Sequence, residues 1–145
     1  MADNRPLSTL LSRAASAFIG EYEQRLALAG YEDMSFAAAT NILRLLSDDA
    51  IRIGVLVEKS GVTKQAISQQ LSQLATHGYV RLEPDPADNR VKRVRLTNKG
   101  RRCQDVARPL HETVERDWRR RFGRAEVDRL RTSLEHIVDR LAAGQ

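Results

Sequence analysis

The sequence predicts a mainly α-helical fold with a small β-hairpin, and three observations support this. Apolar residues recur every three or four positions through most of the chain, which is the period of a helix packed on one face. Four prolines and eight glycines punctuate the 145 residues, so long helices are allowed. From Val80 to Leu96 the pattern changes to short alternating runs on either side of a turn-rich loop, which predicts two antiparallel strands.

The N-terminal part predicts two helices and a short strand. The first helix runs from Leu7 to Ala29, with Gly30 as its stop. The second begins at Ser35, a good N-cap residue, and continues to about Leu46. Residues 51–53 alternate apolar, polar and apolar, so they predict a short strand.

The central part predicts two short helices joined by a tight turn. The first covers about Gly54 to Ser60 and ends at Gly61, while Thr63 caps a second from Lys64 to about His77. The second helix has an apolar stripe made of Ala66, Ile67, Leu71 and Leu74. Such a pair at this spacing is typical of a helix-turn-helix.

The C-terminal part follows the hairpin, whose strands are predicted at Val80–Glu83 and Val91–Leu96. Thr97 can cap a long helix that reaches about Phe122, and we expect a kink rather than a break at Pro109. Gly123 separates it from a last helix with an apolar face, formed by Val127, Leu130, Leu134, Ile137, Val138 and Leu141.

Charge is unevenly distributed along the chain. Residues 51–101 hold 10 Lys and Arg against 4 Asp and Glu, although the net charge of the whole chain is only +5. A basic centre favours an anionic partner there. We divide the chain into N-terminal helices for dimerisation and domain support (1–46), a winged helix-turn-helix lobe (47–97) and C-terminal dimerisation helices (98–145).

The exposed face of the second central helix carries the functional hypothesis. From Val62 to Tyr79 there is no Asp or Glu, whereas an ordinary solvated face mixes both signs. Glutamine can pair with adenine in the major groove, and lysine can reach guanine or phosphate. The candidate contacts are Lys64, Gln65 and Gln69 to base edges, and Thr63, Ser68 and Ser72 to phosphates or a mixture. The alternative is an ordinary polar face of a helical bundle.

The hairpin adds a second candidate DNA contact. Four cations fall within six residues, namely Arg90, Lys92, Arg93 and Arg95. An arginine near the tip can enter a narrow minor groove, and Asp88 can brace the Arg90 guanidinium by a hydrogen-bonded pair. The alternative is a hairpin whose edge charges merely oppose aggregation.

These residues also carry a family resemblance. Residues 85–90 followed by Leu96-Thr97-Asn98-Lys99-Gly100 resemble the wing and the helix start after it in MarR-type regulators, and residues 56–68 are similar to their helix-turn-helix. The resemblance implies a homodimer with intertwined terminal helices, a recognition helix in the major groove and Arg90 in the minor groove. It further implies a repressor acting on a near-palindromic operator and released by a small effector, whose binding residues the sequence does not place.

Two positions depart from the family pattern. Arg52 stands where the family often has a capping Ser or Thr, so we expect a weaker cap there. Asn89 replaces a frequent basic residue, which removes one cation from each wing.

The other sequence features indicate no catalysis, cofactor or metal. No phosphate-binding glycine loop, nucleophile elbow or metalloprotease motif is present, and the three histidines lack close ligand spacing. The single cysteine, Cys103, is predicted to be a buried thiol rather than a redox sensor, and it suits a reducing cytoplasm. Neither a signal peptide nor a membrane span is expected. The alternative function is a winged-helix module that binds protein instead of DNA.

Overall fold

The computed structural model describes residues 4–144, which form one compact unit up to Leu110 and a second from His111. The helices are α1 (Leu7–Leu28), α2 (Phe36–Asn41), α3 (Ile53–Ser60), α4 (Lys64–Thr76), α5 (Asn98–Ala107), α6 (Leu110–Phe122) and α7 (Arg124–Ala142), with a 3-10 helix at Leu43–Leu45. The strands are β1 (Ile51–Arg52), β2 (Val80–Asp85) and β3 (Asp88–Leu96). The predicted mainly helical fold with a small wing is confirmed.

The wing is the hairpin of β2 and β3, and it belongs to a three-stranded antiparallel sheet of order β1-β3-β2. Val80 pairs with Leu96 and Leu82 with Val94, while the register shifts between Pro84 and Asp85 near the tip. Both strands are longer than predicted. The connection between them is therefore shorter than the loop that the prolines predicted. Pro84 lies within β2, because proline is tolerated on an edge strand.

The core of the first unit is aliphatic with a few aromatic rings. Its largest fully buried side chains come from α1, α3, α4, α5, the 3-10 helix region and the wing base: Tyr22, Leu26, Ile42, Leu43, Leu56, Ile67, Leu71, Tyr79, Val94 and Cys103. Tyr22 stacks edge-on against Phe36, with ring centroids 5.1 Å apart. The predicted stripe of α4 is confirmed at Ile67, Leu71 and Leu74, whereas Ala66 is only half-buried.

Three helices begin at the predicted N-cap residues. The side chains of Ser35, Thr63 and Thr97 accept hydrogen bonds from the amides of Ala38, Ala66 and Gly100, at 3.0, 3.2 and 3.0 Å. Each bond satisfies an amide that has no carbonyl partner in the first helical turn. These caps fix where α2, α4 and α5 start.

The second helix is shorter than the predicted Ser35–Leu46 helix. It ends at Asn41, because Ile42 leaves the helical region with φ −123° and ψ −64°, and the 3-10 helix follows. The side-chain amide of Gln104 donates to the carbonyl oxygens of Leu43 and Leu46, at 2.8 and 2.7 Å. A contact from α5, distant in sequence, therefore holds the 3-10 helix and the residue that follows it.

The expected kink at Pro109 is instead a break. Helix α5 ends at Ala107 and α6 begins at Leu110. Proline has no amide hydrogen to donate to the preceding turn, so a helical hydrogen bond is lost at Pro109, although Arg108 before it keeps helical angles of φ −52° and ψ −50°. The periodic apolar residues on both sides made one helix appear continuous in the sequence.

The second unit is a pair of helices joined at Gly123, whose φ is 98°. The Glu115 carboxylate accepts hydrogen bonds from Arg119, at 2.9 Å, and from Arg131 of α7. Arg119 also pairs with Asp128 at 3.3 Å, so ionic contacts join the two helices. The outer apolar side chains of α7 are exposed in the single chain: Leu130, Leu134, Ile137, Val138 and Leu141.

Candidate nucleic-acid interface

The turn between α3 and α4 sets the direction in which α4 leaves. Gly61 ends α3 in the left-handed conformation, with φ 68° and ψ 12°, which favours glycine because it has no Cβ. The Ser60 hydroxyl donates to Val57 O at 2.9 Å and accepts from the Val62 amide at 3.2 Å. These short-range bonds build a fixed turn before the Thr63 cap.

Helix α4 presents a polar face on the surface of the unit. The six side chains of this face are all exposed: Lys64, Gln65, Ser68, Gln69, Ser72 and Gln73. In the described part of the chain none of the six has a hydrogen bond or ion pair through its side chain. Their amides, hydroxyls and ammonium group are therefore free for an external ligand, and these groups suit base edges and phosphates. Thr63 is also exposed, although its hydroxyl already caps the helix.

Burial of the opposite side fixes the rotation of that face. Ile67, Leu71 and Leu74 are 0, 2 and 3% exposed. Because residues three and four apart lie on one side of a helix, burying these three leaves Lys64, Gln65 and Ser68 outward. The helix cannot turn about its axis without exposing the core.

The wing tip exposes one arginine held by one aspartate. The Arg90 side chain is 91% exposed, and its Nε and Nη2 donate to the Asp88 carboxylate at 3.1 and 3.3 Å. The Arg90 amide also donates to Asp88, at 3.1 Å. These bonds from Arg90 lower the pKa of Asp88, so the carboxylate stays charged and keeps the guanidinium in one orientation.

The remaining hairpin cations fall into two groups. Lys92 is exposed, whereas Arg93 and Arg95 share the carboxylate of Glu83, at 2.7 and 3.1 Å. Hydrogen bonds from Arg95 and Arg93 lower the pKa of Glu83. The Arg93 side chain is only 24% exposed, so it is less available to a ligand than Arg90 or Lys92. The register of β2 on β3 places Glu83 opposite Arg93, whereas Lys92 lies opposite Pro84. The pairing of strands therefore decides which of these cations has an acidic partner.

Sequence reasoning missed the contact between Arg52 and Asp85. Arg52 Nε donates to Asp85 Oδ2 at 2.8 Å, and Asp85 Oδ1 accepts from the Ala87 amide at 2.8 Å. The Arg52 hydrogen bond is the main cause that lowers the pKa of Asp85 to about 2. The two residues are 33 positions apart, and no local pattern signals that β1 pairs with β3. Arg52 stands at the N-cap of α3, where the family often has Ser or Thr, and its side chain makes no cap hydrogen bond, as expected.

Cys103 lies in the core, away from the exposed face of α4. Its side chain is fully buried, and burial raises the pKa of the thiol to about 12. Within residues 4–144, no three His, Cys, Asp or Glu side chains group as a metal site needs. No helix in that range is long and apolar enough to cross a bilayer.

Comparison with known proteins gives a family and several relatives. Residues 32–90 match the MarR family. The transcriptional regulator HosA of Escherichia coli O111:H- is 30% identical over 88 residues, which cover 60% of this chain and 65% of HosA. The exopolysaccharide II synthesis transcriptional activator ExpG of Rhizobium meliloti is 30% identical over 76% of this chain and 56% of ExpG. The chain therefore spans less than two thirds of these relatives.

Solved structures share the fold over nearly the whole chain. The Staphylococcus aureus MepR–DNA complex has a TM-score of 0.73 at 15% identity, covering 94% of this chain and 98% of MepR. A second structure is that of Bordetella bronchiseptica BpsR, whose DNA binding is described as regulated by 6-hydroxynicotinic acid. It has a TM-score of 0.70 at 18% identity, covering 98% of this chain and 96% of BpsR. HosA is named as a transcriptional regulator and ExpG as a transcriptional activator.

Proposed function

We propose that the protein is a sequence-specific, double-stranded DNA-binding transcription regulator, since residues 32–90 match the MarR family. The observation that carries the proposal is the acid-free polar face of α4, whose six side chains are exposed and unpaired within the described chain. A helix of this kind fits the major groove, where amide and ammonium groups can read base edges.

The proposed contacts divide between the helix and the wing. Lys64, Gln65 and Gln69 read base edges, while Thr63, Ser68 and Ser72 bind phosphates or share in both tasks. At the wing, Arg90 enters the minor groove with Asp88 as its brace, and Lys92 binds the backbone. Arg93 contributes a weaker contact, because its guanidinium already pairs with the Glu83 carboxylate.

We propose that the regulator acts as a homodimer. Exposed leucines and other apolar side chains of α7 support this, as do Leu7, Leu10 and Leu11 of α1, because such surfaces are usually covered. A two-fold dimer places its two recognition helices about 34 Å apart on a near-palindromic site. The terminal helices, 1–46 and 98–145, then serve dimerisation, and residues 47–97 bind DNA.

Two finer properties complete the proposal. The protein acts as a repressor in the cytoplasm, and a small organic effector changes its affinity for DNA. The described control of BpsR by 6-hydroxynicotinic acid supports an effector for this fold, although it concerns BpsR itself. Addition of the effector to the DNA complex should release the duplex.

The DNA-binding proposal is tested by selection from a random duplex library, followed by titration of the selected site across salt concentrations. We expect a near-palindrome and a slope of log affinity on log salt of about −0.9 per phosphate neutralised. Arg90→Ala should weaken binding without much change in sequence preference. Arg102→Ala, which removes an exposed arginine of α5, is the charge-matched control. No enriched sequence and little salt dependence would favour the alternative, a protein-binding winged-helix module.

The dimer is tested by sedimentation equilibrium. Ile137→Glu places a charge on the exposed apolar face of α7 and should shift the protein toward monomer. His136→Glu introduces the same residue at the neighbouring exposed position and should leave the dimer intact. A wild-type monomer at all concentrations would contradict the proposal.

A further inference from the structure

The outer half of the wing, residues 84–92, receives little support from the core. At the wing base, Val80, Val94 and Leu96 are buried, and they anchor both strands. Towards the tip, Pro84, Arg90 and Lys92 are exposed. Apolar packing therefore holds the base of the hairpin but not the part that carries Arg90.

One ion pair joins this outer half to the helix-turn-helix. Arg52 is the last residue of β1 and immediately precedes α3, and its Nε donates to Asp85 Oδ2 at 2.8 Å. Within residues 4–144, this pair is the one side-chain hydrogen bond between residues 84–92 and any residue outside the hairpin. Its loss would leave the outer half attached through its own strands alone.

Asp85 passes this attachment on to the tip. Its carboxylate is nearly buried and also accepts from the Ala87 amide, at 2.8 Å, so it holds the turn that follows. One residue further on, Asp88 binds both the amide and the guanidinium of Arg90. A continuous series of contacts thus runs from the start of α3 through Asp85 and the turn to Arg90.

We propose that Arg52 is a positioning residue for DNA binding, which acts through Asp85 to hold the wing tip at a fixed place relative to α4. The inference rests on the proposed function, since it assumes that α4 and Arg90 bind one duplex together. A binding site that spans two elements gains affinity when their spacing is fixed before binding. The pair supplies that fixed spacing at the point where core packing ends.

A direct phosphate contact by Arg52 is the competing explanation, because its side chain is 49% exposed. The two explanations predict opposite effects of Asp85→Asn. Removing a negative charge from a DNA-binding surface should raise affinity if Arg52 simply binds phosphate, since its guanidinium is then released. If the pair positions the wing, Asp85→Asn should instead lower affinity.

The experiment measures the affinity of folded wild type, Arg52→Gln, Asp85→Asn and the double variant for the selected duplex. We expect each single variant to bind roughly tenfold more weakly and the double variant to lose no more, because both remove the same contact. The salt slope of Arg52→Gln should equal that of wild type. Arg81→Gln, which removes an exposed and unpaired arginine from the described hairpin, should not reproduce this loss.

Amide hydrogen exchange of the free protein gives a second readout that needs no DNA. Residues 87–91 should exchange faster in Arg52→Gln than in wild type or Arg81→Gln, while α4 stays protected. Unchanged exchange, tighter binding by Asp85→Asn, or a salt slope reduced by about 0.9 in Arg52→Gln would each overturn the inference. If the wild type binds no duplex, the proposed function fails, and the exchange data alone show whether the pair holds the wing.

Discussion

Gly100 lies against the backbone of Tyr79, so closely that a Cβ on Gly100 would stand 2.1 Å from the Tyr79 carbonyl oxygen. The same oxygen accepts a hydrogen bond from the Thr97 amide at 3.1 Å. Thr97 also caps α5 through the Gly100 amide. The segment Leu96-Thr97-Asn98-Lys99-Gly100 is therefore a tight junction between the wing and α5, and only glycine fits at its last position.

Gly100→Ala should destabilise the protein, because the methyl group meets backbone rather than a movable side chain. The expected loss is roughly 1–3 kcal/mol in the free energy of unfolding, measured by urea denaturation. Gly54→Ala is the matched control, since it lies in α3 with no atom within 4 Å of the added Cβ. That control should gain roughly 0.5–1 kcal/mol. Equal stability of the two variants would contradict the close approach.

Gln104→Met should also destabilise the fold, although it keeps the length of the side chain. It removes both hydrogen bonds to the Leu43 and Leu46 carbonyls. The Leu43 oxygen still accepts the Leu46 amide, so the main cost is the loss of the Gln104 donor at the Leu46 oxygen, and a buried unsatisfied acceptor costs about 1–3 kcal/mol. The measurement is the midpoint of thermal unfolding, which should be lower for Gln104→Met than for wild type. Gln24→Met changes an exposed glutamine of α1 and should have little effect. A Gln104→Met variant as stable as wild type would show that water replaces the amide.

Cys103 should be unreactive in the native protein. Burial, and then repulsion from Asp33, raise the pKa of its thiol to about 12, so hardly any thiolate exists near pH 8. A thiol reagent such as Ellman's reagent should modify it only as fast as the protein unfolds, and rapidly in denaturant. Fast modification of the folded protein would contradict the burial of this side chain.

Asp85 should make stability depend on acid pH. Its pKa is about 2 in the folded protein and about 3.8 when unperturbed, so the unfolded chain binds the proton more readily. The stabilisation is fully present above about pH 4 and is lost as the pH falls towards 2. Asp85→Asn should therefore lose stability at neutral pH, with a gap to wild type that narrows in acid. Arg52→Gln removes the hydrogen bond that mainly lowers the pKa of Asp85, so its difference in stability from wild type should also narrow in acid. A difference in stability that stays the same at all pH values would refute the assignment.

Gln65→Ala should relax sequence preference at one base pair by about 1–3 kcal/mol if the amide makes a bidentate contact. The measurement is the affinity for duplexes that carry each base at each position of the selected site. Gln73→Ala is the matched control, because it alters the same residue type on the same exposed face, eight positions along α4. An unaltered preference profile for Gln65→Ala, or an equal change in Gln73→Ala, would remove Gln65 from base recognition.

The sequence predicted the elements whose causes are local. Ser35, Thr63 and Thr97 are caps because their hydroxyls bond amides three residues away. The stripe of Ile67, Leu71 and Leu74 follows from the helical period, and it fixed which face of α4 is exposed. Gly61 and Gly78 marked real helix ends, where the backbone takes a positive φ.

Two helix boundaries were predicted wrongly, one where a distant residue contacts the backbone and one at a proline. The helix expected to reach Leu46 ends at Asn41, and Gln104 from α5 donates to the Leu43 and Leu46 carbonyls of the segment that follows. The expected kink at Pro109 is a break, since apolar periodicity does not register a missing amide donor. Each case depends on backbone hydrogen bonding that hydrophobic patterning does not describe.

By itself, then, the sequence determined the order of helices, the hairpin, the acid-free face of α4 and the cluster of cations on the wing, since all depend on residues close together in the chain. Tertiary structure alone decided which of those cations are available. Glu83 meets Arg93 and Arg95 through the register of β2 on β3, and Asp85 meets Arg52 across three strands. Pairing between distant strands is set by the packing of the whole unit, so residues of equal charge acquired different environments.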